Sequence, residues 1–592
     1  MLKRLLVFGV LMSFALSSVP DGFGQRRRTT TRPTQAAAPA AAPASAVKQL
    51  SGPLGAYFPA DTFAYVEVGD LAEVVEQIGG VGYVYNLMRQ AAESVGGSGN
   101  PGKLPLTEEQ FRGLLGCSFA LGISIPPGSK LVSGDVQPSI AGVIRTPSAE
   151  VLETLQGFIA DAAKTRPATA AKPRVTRIAG VSVTTYPDPK PDNSFSYATI
   201  GNDIVVGDTK GITAFLSGVA DPRAKHLGDV PGYVTASARV PGSRVLFAYL
   251  NGGPLVKAFN DGIDASMATG GKPSPSGDFV KALVGMNAVR GGSLTAVSEG
   301  TSMAIQAAVE MDRTKPGLLS ILSDPPTISS RGSALVADDT DMLYVTSFDL
   351  IRIYDFVMAI MTPERAKALG VTPGELAGYF EAKTGVKFRQ EFLAALGSEV
   401  IVASSIVQTD TMTNVSIEAQ AKPKVDYRFV VLFETRNPDV VTKCTSALVG
   451  SESDPIKTET IDGVDVWSNS TIAWTYIEGF CLTGEKGEVL RTLAAIKDRR
   501  TLGSTPAFAA SSSTLPNNAI TAMYMSPRLF ELAAKEAEVD RNMPNALTAF
   551  PNGLFLSVQK DENGLYTNFS VPLPNLRLLL EKEKQTAGVV RP

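Results

Sequence analysis

Alternating apolar and polar positions mark short strands throughout this chain, and between them runs with apolar residues three and four apart mark helices. Ile140–Ile159 shows both: an apolar strand, then Thr146-Pro147, then Val151, Leu155, Phe158, Ile159 and Ala162 on one helical face. Thr146 reads as the N-cap and Pro147 as the first helical residue, where a missing N–H costs nothing. Phe429–Val449 repeats this design with Asn437 and Pro438.

That recurrence is one of six, in the same order, with a period near 280 residues. Phe58–Ile78 and Val336–Val357 each carry an Asp-Thr turn, a strand with a tyrosine (Tyr65, Tyr344), and an Asp (Asp70, Asp349) opening a helix. Gly113–Ile125 and Ala394–Ile406 each place Leu-Gly before a strand. Arg177–Tyr186 and Thr460–Asn469 are strands with a central Gly, followed by strand pairs at Phe195–Gly211 and Ile472–Gly487. Gly201-Asn202-Asp203 and Glu478-Gly479 suit hairpin turns. Arg244–Phe259 and Ala519–Ala534 are strand–helix units, and paired strands close each half, the second with a tip at Asp561-Glu562-Asn563-Gly564. Tight turns between neighbouring strands imply antiparallel sheets. The expected fold is α+β: two tandem similar domains, each a mainly antiparallel sheet with helices on one face.

With 592 residues, 44% of them apolar, the chain has enough for two to four domains. The expected organisation is a signal peptide over 1–24, a Pro/Ala-rich basic linker over 25–48, repeats over 49–315 and 316–575, and a tail over 576–592. Lys3 and Arg4 precede an apolar run, Leu5–Leu16, with small-residue cleavage sites at Ala15-Leu16-Ser17 and Gly22-Phe23-Gly24. Arg26-Arg27-Arg28 opposes translocation, so an uncleaved anchor is the alternative. No later stretch approaches the length of a transmembrane helix. The expected location is periplasmic or extracellular.

These features in their order resemble a family of exported bacterial proteins, domain of unknown function 3352. The carriers are the Pro59-Ala60-Asp61-Thr62 opening with Tyr65-Val66-Glu67-Val68, the Leu-Gly strands, the helices after Thr146-Pro147 and Asn437-Pro438, and the strands around Tyr249 and Tyr524. The resemblance spans most of residues 50–575 and implies an envelope location and a duplicated α+β body. It brings no catalytic residues. The second half departs from the opening pattern, with Asp338-Asp339-Thr340-Asp341 in its place.

Charge and chemistry exclude more than they assign. The net charge is −3, but residues 1–46 hold six basic groups and one acid, leaving 49 basic and 57 acidic groups, a balance of −8, for the rest. Such a body lacks the basic stripe that nucleic acid needs. The one histidine, His226, sits in a polar loop and reads as an exposed loop residue, so no imidazole is available to pair with a nucleophile. Ser45-Ala46-Val47-Lys48 and Lys383-Thr384-Gly385 match fragments of penicillin-binding motifs by chance, because the first lies in the linker and no Ser-Asp-Asn follows. A Cys/His zinc site is excluded. Asp338, Asp339 and Asp341 lack a calcium loop's spacing and read as turn carboxylates. Gly79-Gly80 reads as a helix stop. Cys444 and Cys481 read as buried thiols, with a disulfide as the alternative, and Trp467 and Trp474 as core. No catalytic, cofactor-binding or metal-ligating residue is assigned, and no cofactor. The expectation is a non-catalytic binding or scaffolding protein that takes an apolar ligand or another envelope component on its sheets. The alternative is a carboxylate-based hydrolase of envelope polymer, which needs two acids converging with pKa values pushed apart.

Overall fold

A computed structural model describes residues 50, 52–69, 71–95, 106–125, 138–164, 172–187, 194–240, 244–267, 275–300, 302–370, 372, 374–409, 424–512, 515–536 and 552–572. The signal segment 1–24, the linker 25–48 with Ser45 and Lys48, Asp70 and the tail 576–592 lie outside the described residues.

The chain divides into two compact units that interleave in sequence. One takes the described residues of Met1–Ala265, Val289–Glu310 and Ser570–Pro592, the other those of Ser266–Ala288 and Met311–Phe569.

The first unit carries β1 (Thr62–Val68), β2 (Ser118–Ser124), β3 (Ser139–Arg145), β4 (Arg174–Ile178), β5 (Val181–Tyr186), β6 (Phe195–Ile200), β7 (Asp203–Asp208), β8 (Leu246–Asn251), β9 (Val289–Glu299) and β10 (Ser302–Met311). The second carries β11 (Met342–Ser347), β12 (Leu396–Thr409), β13 (Lys424–Thr435), β14 (Lys457–Ile461), β15 (Val464–Ser468), β16 (Ala473–Ile477), β17 (Phe480–Gly484), β18 (Ala519–Met525), β19 (Leu554–Asp561) and β20 (Gly564–Pro572) up to Phe569. Strand order in the first is β10-β9-β8-β1-β2-β3-β7-β6-β5-β4, and in the second β20-β19-β18-β11-β12-β13-β17-β16-β15-β14, in antiparallel ladders. The two orders match strand for strand.

Turn chemistry explains the hairpins. Arg177–Tyr186 and Thr460–Asn469, expected as single strands with a central Gly, are instead hairpins that turn at that Gly: Ala179-Gly180 and Asp462-Gly463, like Glu478-Gly479, have both central residues at positive φ, the two-residue turn whose twist matches that of the strands. The tip at Asp561–Gly564 forms as expected, with Asp561 opposite Gly564. Gly79 (φ 158°) and Gly80 (φ 89°) separate helix Leu71–Ile78 from helix Val81–Val95, which is the helix stop read from the sequence.

Capping follows expectation in one half and departs in the other. Asn437 accepts from the Val440 N–H with Pro438 following it, and Asp349 accepts from the Arg352 N–H. Thr146 is not a cap. Its hydroxyl donates to Asn202 O at 2.7 Å, tying the β3 end to the β6–β7 turn. The helix begins later, at Ala149, and Ser148 Oγ takes the Val151 N–H instead.

Helices close the larger core on one face of each sheet. In the first unit Tyr65, Val143, Val205, Phe247 and Tyr249 face helix Thr209–Ala220 (Ile212, Phe215, Leu216) and helix Pro231–Arg239 (Tyr233, Ala236). Rings of Phe58, Tyr65, Tyr233 and Tyr249 meet edge to face at 5.2–5.7 Å, the arrangement aromatic quadrupoles favour. In the second unit Leu343, Ile401, Val430, Leu482 and Tyr524 pack with Val489 and Phe508 of helices Lys486–Lys497 and Pro506–Ser512. Helices also reach part of the other face. Leu114 and Leu155 cover Ile144, Ile204 and Val206 in the first unit. No helix among the described residues is long and apolar enough to cross a membrane.

A buried ion pair fastens helix Pro231–Arg239 to β10: Arg239 Nε and Nη2 donate to the two Glu310 carboxylate oxygens at 2.6 and 3.1 Å, with side chains 9% and 1% exposed. Removing one partner strands a buried charge. Glu310→Ala is therefore expected to destabilise the first unit by about 3–5 kcal/mol in urea denaturation, and a loss under about 1 kcal/mol, the range of an exposed pair, would contradict this assignment.

Candidate functional site

Paired residues of an antiparallel ladder lie on one face, and alternate residues of a strand lie on opposite faces. The structure uses this to correct one equivalence drawn from sequence. Tyr65 stands opposite Tyr249, and in the second unit Leu343 stands opposite Tyr524. Tyr65 thus corresponds to Leu343, not to Tyr344. The core holds Tyr65 (1% exposed) and Leu343 (3%), whereas Tyr344, one residue on, points from the other face at 37%.

That other face of the second sheet is apolar and partly open. Leu556, Met523, Tyr344, Val402 and Val431 form one cross-strand row. Leu554, Met525, Met342, Ser404 and Phe429 form the next, and Ile406 with Tyr427 a third. Tyr427 and Phe429 are 56% and 58% exposed, and Met342, Val402, Val431 and Met523 are half-buried. In the first unit the equivalent positions are smaller: Val66 for Tyr344, Gly142 for Val431, Ile140 for Phe429. Leu250 and Leu294 are exposed there, at 45% and 37%, but no aromatic ring joins them among these positions.

Among the described residues the second sheet also extends further than the first. The β2–β3 ladder ends at Ser124 opposite Ser139, whereas β12–β13 runs on past Ser404 and Phe429 to Thr409 opposite Lys424. β11 stops at Met342 and β17 at Gly484, so the far end is a two-stranded ribbon. Its core-side root is pinned electrostatically. Glu488, 9% exposed at its side chain, lies between Arg428 (3.4 Å) and Arg491 (2.7 Å). Arg491 also reaches Asp339 and donates to Ser405 Oγ at 3.5 Å. On the β12 edge, the Ile406 N–H donates to Asp341 Oδ2 and the Ile406 carbonyl accepts from Arg528, each at 2.8 Å.

Residues weighed for chemistry prove architectural. Asp339 and Asp341 serve Arg491, Ile406 and the Ser526 hydroxyl, and no group of three or more metal-binding side chains occurs among the described residues. His226 is half-buried rather than exposed: it pairs with Pro59 through the backbone, and its N–H donates to Asp229 at 2.9 Å. Thr501 makes the same bridge to Ala337, so the position needs no imidazole. Thr384 bonds Phe380 O at a helix end that Gly385 caps. Cys117, Cys444 and Cys481 are free and buried, and burial pushes the Cys117 and Cys481 thiols up to about 12, far from a nucleophile's range. Trp474 is core, stacked on Trp467 at 6.4 Å.

One pair of acids does adjoin. Burial raises the Glu399 pKa, with Glu434 adding to the rise. Both are engaged in the backbone. Glu399 accepts from Ser329 N–H (2.6 Å) and hydroxyl (3.0 Å), and Glu434 accepts from the Ser398 N–H at 2.9 Å. Gly397 lets Glu434 in, since a Cβ there would lie 2.3 Å from its carboxyl group. The pair holds a β12 irregularity and the segment before Ser330–Leu335.

No family model matches the chain, and no curated protein matches it. Among solved structures, crystal form III of TP0453 aligns at TM-score 0.21 and 12% identity over 44% of this chain and 86% of that one. Crystal form IV aligns at 0.20 and 10% over 44% and 96%. Overlap this slight transfers neither fold nor function.

The raised Glu399 pKa has a definite pH signature. Above the unfolded carboxyl value of about 4.3 the native state holds this proton more tightly than the unfolded chain. Its contribution to stability is therefore complete below that value and is lost as pH rises through the folded pKa. Urea denaturation across this window should show wild type gaining on Glu399→Gln as pH falls, and a gap that is flat or shrinks would contradict the assignment.

Proposed function

We propose that this chain is a non-catalytic binding protein of the bacterial cell envelope, exported by its N-terminal segment, that takes an apolar envelope component on the open face of its second sheet. The observation carrying this reading is the exposure of Tyr344, Tyr427 and Phe429 on one face, in register with Met342, Val402, Val431 and Met523. A contiguous exposed apolar patch marks an interaction site more often than a fold requirement. Tyrosine adds a polar tip at the patch rim. The basic, apolar start of the chain and the resemblance to domain of unknown function 3352 support the envelope location. The matched strand orders support descent from one duplicated body. The adjoining acids Glu399 and Glu434 are both committed to backbone amides.

A direct test extracts the purified exported chain for lipid and measures binding of an anthroyloxy-labelled fatty acid. Copurifying lipid and saturable binding are expected. Tyr344→Ser with Phe429→Ser should weaken binding about tenfold, on the order of 1.4 kcal/mol, while Leu376→Ser on helix Glu375–Thr384 leaves it unchanged. A protein that is empty and binds no probe would overturn the reading.

A further inference from the structure

Three cations of the second unit converge on one carboxylate. Asp324 follows helix Leu318–Leu322. Lys560, near the end of β19, donates to it at 3.0 Å, and Arg352 and Arg313 stand 3.5 and 3.6 Å from it. One formal negative charge is thus set among three positive ones, in a body that is acidic as a whole. The acids adjoining in sequence, Asp312, Asp349 and Asp561, each accept a backbone N–H of their own turn or helix cap. Lys560 is also fixed by Pro325 O at 2.6 Å, and Arg313 by Ser323 O and Gly564 O, both at 3.0 Å. Arg313 Nε is buried with no acceptor among the described residues, and the Arg352 side chain, 46% exposed, only approaches the carboxylate. Donors outnumber acceptors here, which favours a further anion.

The cluster stands at one end of the open apolar face. Alternate residues of a strand share a face, so Lys560 lies on the side of Val558, Leu556 and Leu554, the last two being opposite Met523 and Met525. All four β19 residues are half-buried, none sealed off. Leu556 is four residues from Lys560, about 13 Å along the strand. The first unit has no such cation. Tyr249 faces Ser293 as Tyr524 faces Phe555, so Ser298 occupies the Lys560 position, and its hydroxyl donates to Gln77 at 2.6 Å. The cation cluster and the exposed rings of the open face thus occur in the same unit.

Building on the sheet-face reading above, we propose that the ligand is an amphiphile with an acidic head, a carboxylate or phosphate. The head binds at Arg352 and Lys560, beside Arg313, and the chain runs over Val558 and Leu556 toward Met523 and Tyr344. Charge at one end and apolar surface at the other then select a lipid that carries both.

The test compares an anthroyloxy-labelled fatty acid with its methyl ester on the full exported chain, at low salt and about pH 8, where a carboxyl group with a reference pKa near 4.3 is ionised. The acid should bind about tenfold more tightly, as a charge-assisted hydrogen bond at a partly exposed site allows. Arg352→Gln should remove most of that preference and leave the ester's affinity unchanged, which also reports an intact fold, while Arg352→Lys keeps part of it. Added salt should weaken the acid alone. Equal affinity of the wild type for acid and ester, or an Arg352→Gln chain that loses both alike, would overturn the proposal and leave the sheet-face reading standing. Inorganic phosphate binding as tightly as the labelled acid would make this a free-anion site and likewise overturn the amphiphile. Binding of neither probe would overturn both readings together.

Discussion

The whole arrangement depends on the parity of its strands. Each residue points to the face opposite its neighbour, so one position of slip exchanges core for surface. In both units one parity is closed by helices, with Tyr65 and Tyr249 in the first and Leu343 and Tyr524 in the second. The opposite parity is then free of the core's demand for tight packing over part of its length. Tyr344 and Phe429 occupy that freedom.

Two bodies with the same strand order differ where the fold allows it. The bridges Pro59–His226 and Ala337–Thr501 show how closely the frames agree, down to a single backbone contact. Against that frame, among the described residues, the second body differs in the ribbon beyond Ser404 and Phe429 and in the aromatic residues on its open face. The buried Glu488 between two guanidinium groups holds the ribbon's root without filling the opposite, apolar face. Of this network only the Glu488 carboxylate is buried, while Arg428 and Asp339 are 43% and 51% exposed, so water screens part of the attraction.

Much of the fold was legible in sequence because hairpin turns and caps are local. Glu478-Gly479 and Asn437-Pro438 act within a few residues and each forms as read, whereas Asp462-Gly463, read as the middle of one strand, is a hairpin turn. Thr146 misled because its hydroxyl has a distant acceptor, Asn202 O, which local capping rules cannot see. The site was less legible. Tyr65 and Tyr344 look equivalent beside their Asp-Thr turns, yet they lie three and four residues past Thr62 and Thr340, and that difference in parity was the available signal. The exposure of Phe429 and the ribbon depend on where β11 and β17 stop, which no local pattern encodes.

The most direct measurement is hydroxyl-radical footprinting of the purified chain, alone and with the cell-envelope fraction of cells that produce it. Tyr379, 64% exposed on helix Glu375–Thr384, serves as the internal standard. Protection of Tyr344 and Phe429 with unchanged Tyr379 is the predicted result. Equal reactivity of all three with and without the envelope fraction would contradict the claim that the open sheet face is the working surface.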